Sequence, residues 1–251
     1  MKTEFNSVTL SNDLKKKIKG KVLFDEFSRG RYSTDASLYQ IKPIGVVLPK
    51  DQFDVLNIIE YSQKNSIPLL ARGGGSSQCG QTVGECIVLD YSKYQNKILE
   101  FNAKEKFVWV EPGIVLDQLN EYLKPHGLWF PVDVSTSSRA TIGGMTGNNS
   151  CGSRSLYYGN MVNNVLAVES ILDDGSIHTF ENIDKNYLSK TNDQNRKFQI
   201  IKKCIDIREQ VENEINEHWP KTQRRVGGYN IDLINPNGFN ASNILVGSEG
   251  T

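Results

Sequence analysis

Apolar and polar positions change period several times along the chain, and each change marks an element. Residues 7–20 read as a short helix with Ser11 or Asn12 as N-cap and Gly20 at its end. A polar, irregular stretch follows to Pro43. From there the pattern is βαβ: a strand at 44–48, a helix over 51–65 with Phe53, Leu56 and Ile59 as its apolar positions, and a strand at 67–71. A glycine run and a strand at 86–90 come next. Two short alternating runs, 97–103 and 106–113, predict a hairpin. Leu116, Leu119 and Leu123 share one face of a helix stopped by Pro125 and Gly127. A second hairpin lies within 163–180, turning at Asp174-Gly175. Residues 198–219 carry the longest helical stripe, on Phe198, Ile201, Ile205, Ile215 and Trp219. A final strand is expected at 243–248. Strands and helices mix without regular alternation, which predicts an α+β class rather than a doubly wound sheet.

Two glycine-rich stretches interrupt this pattern. The first is "ARGGGSSQCG", residues 71–80. Consecutive glycines let several N–H groups face one anion without obstruction by Cβ atoms. It is neither a P-loop, which needs G-x-x-x-x-G-K-[ST], nor a Rossmann fingerprint, because the G-x-G-x-x-G pattern ends in Gln78. Taken alone it reads equally as a phosphate loop or a surface turn. The second stretch, Phe130 to Gly159, is rich in Gly, Ser, Thr and Asn. A segment of that length with little periodicity is usually functional or disordered. Its embedded Ile142, Met145, Tyr157 and Tyr158 argue against disorder, so an extended ligand along the backbone is expected.

Composition narrows the classes. The 251 residues are 38% hydrophobic and 23% charged, with 29 basic against 29 acidic residues, so net charge offers no argument for a nucleic-acid partner. No apolar run approaches the length of a membrane span, and the polar N-terminus lacks a secretory signal. The four cysteines include no C-x-x-C pair, and the three histidines are dispersed, so no metal site is expected and a reducing, cytoplasmic setting is. The chain stops at Thr251, just after an apolar run entering a glycine turn, and a longer parent protein is expected.

The strings "ARGGGSS", "EPG", "FPVDVSTSSRATIGGMTGNNSCG", "YG" and "VGSEGT" stand in the order found in FAD-linked oxidases of the vanillyl-alcohol oxidase superfamily. From Tyr32 to Thr251 the chain most resembles the D-lactate, glycolate and D-2-hydroxyglutarate dehydrogenase branch. The resemblance implies a PCMH-type FAD-binding domain of two α+β subdomains with FAD between them. It would span 43–251, divided near 110/111, after an N-terminal extension of 1–42. It also implies that Gly73, Gly74, Gly75, Ser76 and Ser77 hold the pyrophosphate, and that Pro131, Asp133 and Ser138 run past the flavin. Thr141, Gly143, Gly144, Asn149 and Gly152 match a second FAD-contacting loop, with Tyr158 and Gly159 just beyond. Ile171 matches the strand passing the adenine, and Glu249 and Gly250 match a closing element.

Relatives that bind FAD covalently often carry a histidine in or just after the first loop. Here the residues are Ser77-Gln78-Cys79-Gly80, so non-covalent FAD is expected. Cys79 is read as a small packed thiol before a flavin nucleophile. Oxidising a 2-hydroxy acid needs a base for the hydroxyl proton and a cation for the carboxylate. The resemblance puts both largely in a substrate domain beyond this chain, so the chain alone is expected to bind FAD without turnover. His126, His178 and His218 are read as structural or solvated. Arg224 and Arg225 are either carboxylate partners or helix-capping and solvated residues. Tyr229 and Asn230 resemble an element that faces the flavin; Arg225 and Tyr229 are the candidate substrate contacts.

The expected electron acceptor is a quinone, a cytochrome or a C-terminal iron–sulfur domain, and the expected location is cytoplasmic or peripheral at the inner membrane. Two alternatives stand beside this reading. One is a reductase of the same fold resembling UDP-N-acetylenolpyruvylglucosamine reductase, and the other is a non-enzymatic nucleotide-binding module.

Overall fold

The computed structural model describes residues 6–190 and 195–250; Thr251, the last residue of the expected closing element, lies outside them. The chain divides into two compact units, one of residues 1–130 and 136–144, the other of 131–135 and 145–251. Residues 111–130 and 136–144, expected in the second subdomain, fall in the first unit.

The first unit begins with α1 (Ser7–Lys17), whose N-cap is Asn6 rather than Ser11 or Asn12. The Asn6 side chain accepts from the Val8 and Thr9 N–H groups at 3.1 Å each, so the helix starts a turn earlier than expected. The helix ends at Lys17, before Gly20. Next come β1 (Lys21–Leu23), α2 (Glu26–Arg31), β2 (Gly45–Leu48), α3 (Gln52–Asn65), β3 (Leu69–Arg72) and β4 (Ile87–Asp90). The stretch expected to be irregular thus holds a helix, capped by Asp25 on the Ser28 N–H at 2.9 Å. The sheet order is β1-β2-β4-β3, with β1 antiparallel to β2 and the other pairs parallel. Both β2 and β4 are buried throughout, which explains their unbroken apolar runs.

In α3 the buried apolar positions are Val55, Ile58 and Tyr61, not the Phe53–Leu56–Ile59 stripe expected. The cause is Asp54. Its enclosed carboxylate accepts from the N–H groups of Lys19, Gly20 and Lys50 at 2.8 Å each, turning that face of the helix inward. A hairpin of β5 (Ile98–Asn102) and β6 (Phe107–Val110) follows, then α4 (Leu116–Leu123), which buries Leu116, Leu119 and Leu123 as its spacing requires.

Next in the chain is α5 (Ile142–Gly147), whose first three residues belong to the first unit and last three to the second, inside the stretch that showed little periodicity. The second unit continues with α6 (Ser155–Tyr158), α7 (Met161–Asn164) and the hairpin β7 (Val168–Ile171) and β8 (Ile177–Phe180). After it come β9 (Asn182–Asp184), α8 (Tyr187–Lys190), α9 (Arg196–Gln210), α10 (Glu212–His218) and β10 (Gly238–Asn240), which pairs antiparallel with β9. The expected helix over 198–219 is broken at Val211. Ten residues separate Ile205 from Ile215, and at about 100° per residue a straight helix would carry Ile215 off the buried face. The expected strand at 243–248 is a 3₁₀ turn at Ala241–Ile244, capped by Asn240 on the Ser242 N–H at 3.0 Å. The core of this unit gathers Phe180, Ile183, Ile201, Ile205, Ile234, Phe239 and Ile244.

Candidate functional site: the glycine turn and its companion loop

β3 delivers the chain into the turn at Gly73, and the first question is what approaches its backbone. A Cβ at Gly73 would overlap Thr141 Oγ1, and one at Gly74 would overlap the Arg139 carbonyl oxygen. The two glycine-rich stretches therefore meet within the first unit, and this contact by itself requires glycine at both positions. Gly75 adopts φ +63°, beside the guanidinium of Arg72. Among the described residues, no protein acceptor takes the N–H groups of Gly73 through Gln78. One side of the turn is sealed by its companion segment, and a run of backbone donors is left available.

Arg72 sets this turn in place. Its guanidinium donates to the carbonyls of Thr82 (2.9 Å), Thr34 (2.8 Å) and Tyr32 (3.3 Å) and stacks 5.2 Å from the Tyr32 ring. Burial lowers its pKa, opposed by nearby Tyr32, Asp35 and Asp90. The Tyr32 hydroxyl donates to Asp90 at 2.5 Å, and its pKa is raised first by burial and then by that bond. Sequence reasoning missed this Tyr32–Asp90–Arg72 group; an arginine directly before the glycine run was its only visible sign.

The companion segment is itself folded tightly. Thr141 is buried, and its Oγ1 accepts the Gly144 N–H at 3.3 Å. Gly143 packs against Pro112, whose carbonyl accepts its N–H at 2.8 Å. Ser138 is exposed. In the second unit, a Cβ at Gly152 would overlap the Asp133 carbonyl oxygen. The Asp133 carboxylate accepts from Ser153 Oγ at 2.7 Å and the Arg154 N–H at 3.0 Å. Burial pushes its pKa up, but these bonds outweigh it and hold the carboxyl below the ordinary range. Pro131 precedes it on the same short segment.

Asn149, expected to contact the cofactor, is fully buried with φ +47°. Its amide is committed at both ends, to the Val162 N–H and to Asn230. Gly159 turns at φ +79° beside Tyr158, whose ring packs edge-on to Tyr157. Ile171 ends β7, half-buried. Glu249 and Gly250 form a left-handed turn, tied through Glu249 N–H to the Gly147 carbonyl at 2.9 Å.

The candidate substrate contacts are differently placed. Both Arg225 to Asp232 distances are 2.6 Å, and the Arg225 guanidinium lies 5.0 Å from the Trp219 ring centre. Its charge is thus taken within the protein. Tyr229 is exposed. His126 stacks on Phe101 at 4.6 Å, His178 sits on β8, and His218 is exposed beside Glu217. Among the described residues, no group of His, Cys, Asp and Glu is arranged to hold a metal ion.

A mixed α+β chain with an open row of backbone donors at a strand-end glycine turn has the form of a cofactor-phosphate binder. The family described as "FAD binding domain" matches residues 43–181, and the chain belongs to it. A D-2-hydroxyglutarate dehydrogenase of Haemophilus influenzae is 36% identical, over 87% of this chain and 22% of that protein. A mitochondrial D-lactate dehydrogenase (cytochrome) of Kluyveromyces lactis is also 36% identical, over 54% of this chain and 24% of its own length. The chain thus spans less than a quarter of these relatives. Among solved structures, alkyldihydroxyacetonephosphate synthase matches with a TM-score of 0.61 at 20% identity, covering 71% of this chain and 34% of that one. The fold is that of PCMH-type FAD-binding domains.

Proposed function

We propose that this chain is the FAD-binding portion of a flavoprotein dehydrogenase that oxidises a D-2-hydroxy acid to the 2-oxo acid. The observation that carries the reading is the row of N–H groups from Gly73 to Gln78, free of protein acceptors among the described residues, in a chain of the FAD-binding family. The chemistry that FAD supplies when bound is acceptance of a hydride from the hydroxyl-bearing carbon. The chain's own part is binding and orientation. Gly73, Gly74, Gly75, Ser76 and Ser77 offer their amides to the pyrophosphate. Thr141, which backs that turn at Gly73, and Ser138, Gly143 and Gly144 are taken as further cofactor contacts. On the second unit, Pro131, Asp133, Gly152, Tyr158, Gly159, Ile171, Glu249 and Gly250 are the further contacts, and Asn149 acts through its backbone. The domain is taken to run over 43–251, with 1–42 as an N-terminal extension.

On this reading FAD is held without a covalent bond, because the glycine turn carries no histidine and its exposed thiol, Cys79, lies beyond the phosphate-facing residues. D-2-hydroxyglutarate is the first substrate to test, since relatives of that name align over most of the chain. Arg225 and Tyr229 are the candidate substrate contacts; the Asp232 carboxylate takes only the Nη2 donors of Arg225, which leaves its Nη1 and Nε donors to meet a substrate carboxylate. The acceptor is taken to be a quinone, a cytochrome or an iron–sulfur domain, the cytochrome supported by the name of the Kluyveromyces relative. The proposed place is cytoplasmic or membrane-peripheral; no helix among the described residues is long and apolar enough to cross a membrane.

The visible spectrum of the purified chain tests the reading. Flavin bands support it, and a colourless protein that rejects added FAD overturns it. Flavin left in an acid-precipitated pellet would contradict the non-covalent assignment.

A further inference from the structure

Buried asparagines close a hydrogen-bond circuit in the second unit. Asn149 is 0% exposed and Asn230 is 3% exposed, so neither side chain can reach a ligand. Asn149 Oδ1 accepts the Val162 N–H at 3.0 Å, and its Nδ2 donates to Asn230 Oδ1 at 3.3 Å. Asn230 Nδ2 donates to the carbonyls of Val246 (2.7 Å) and Asn243 (3.3 Å). Asn160 Nδ2 donates to the Arg225 carbonyl at 3.2 Å. The Gly247 N–H returns to the Thr146 carbonyl at 3.0 Å.

Three stretches distant in sequence are thereby joined: 146–162, 225–230 and 243–249. The first and third carry proposed cofactor contacts, and the second carries Tyr229. Asparagine suits this joint because one short planar group presents both an acceptor and donors; aspartate has no donor for the facing carbonyls. The left-handed backbone at Asn149 also favours asparagine or glycine over other residues.

We propose that Asn149 and Asn230 are positioning residues: their paired amides hold the flavin-contacting backbone of 146–152 in register with the 225–230 element. This rests on the flavin-binding reading above and extends it to two residues that cannot touch the flavin through their side chains.

The test compares the 251-residue chain with Asn149→Gly, Asn230→Ala and the double variant. FAD affinity is read by flavin fluorescence quenching, and folding by circular dichroism and thermal unfolding without FAD. Asn149→Gly keeps the left-handed backbone and loses only the amide. It should stay folded and bind FAD about tenfold more weakly, and Asn230→Ala should lose a similar factor. The double variant should lose little more than either single one, because the two amides act as one unit.

A merely structural pair would lower the unfolding temperature and leave the affinity of the folded protein unchanged. Folded Asn149→Gly that binds FAD like the parent overturns the proposal, as do losses that simply add. So does an Asn149→Gly chain that cannot fold, since the pair is then a folding element. If Asn230→Ala alone fails to fold, the Asn149→Gly affinity decides. A parent chain that takes up no FAD removes the flavin reading, and this proposal with it.

Discussion

At Gly74 the Arg139 carbonyl occupies the place a side chain would need, and because it is backbone it cannot swing aside. Gly74→Ala should therefore push the two glycine stretches apart, costing about 1–3 kcal/mol of stability. It should also weaken flavin uptake, both measurable by thermal unfolding and fluorescence quenching. Asp133 supplies a pH signature. Its carboxyl is held below the ordinary value in the folded chain, so its contribution is present above the unfolded value of about 4 and fades as pH falls through the folded one. Thermal unfolding from pH 6 down to pH 3 should show an acid-sensitive component that Asp133→Asn removes. At this scale the sequence marked where backbones come close but not what comes close. Three glycines in a row signal an approach, and a ligand and a second loop demand the same residues. Asn149 and Arg225 show the opposite failure: both types suggest ligand contact, yet folding spent their polar groups on Asn230 and Asp232.

Among the elements, those with a single strong period were legible: α4, the two hairpins, and the buried strands β2 and β4. Where one polar contact decides, the extent of the element was legible but its inward face was not, as in α3, expected at 51–65 and found at Gln52–Asn65. In α3 the apolar residues allow more than one inward face, and Asp54 selects the one that buries its carboxylate under three backbone donors. Asp54→Ala should leave those N–H groups unpaired and destabilise the chain by about 2–4 kcal/mol, since bonds to a charged acceptor are stronger than neutral ones. The urea midpoint should fall with little change in slope. The break at Val211 has a similar origin. The stripe on 198–219 was real, but keeping Ile215 inward required a new helix. Short helices stayed hidden for two reasons: three glycines make up half of α5, and α6 has only four residues, too few to leave a periodic trace.

For the molecule as a whole, the proposed split between cofactor binding and substrate chemistry predicts a dissociation of two readouts. On that proposal, the 251-residue chain loaded with FAD should keep its oxidised spectrum when D-2-hydroxyglutarate is added anaerobically. A longer parent protein should bleach under the same conditions; bleaching of the chain alone would show that the base lies within it. The α+β class, the order of the glycine-rich stretches and the likeness to FAD-linked oxidases were all readable from residue order. Each depends on local propensity or on motif spacing along the chain. Tertiary structure alone decided that residues 139–141 seal the glycine turn, that Arg72 props it, and that the Asn149 side chain pairs with Asn230. Those choices depend on which polar groups meet across tens of residues, and a hydrogen bond between distant positions leaves no period in the sequence.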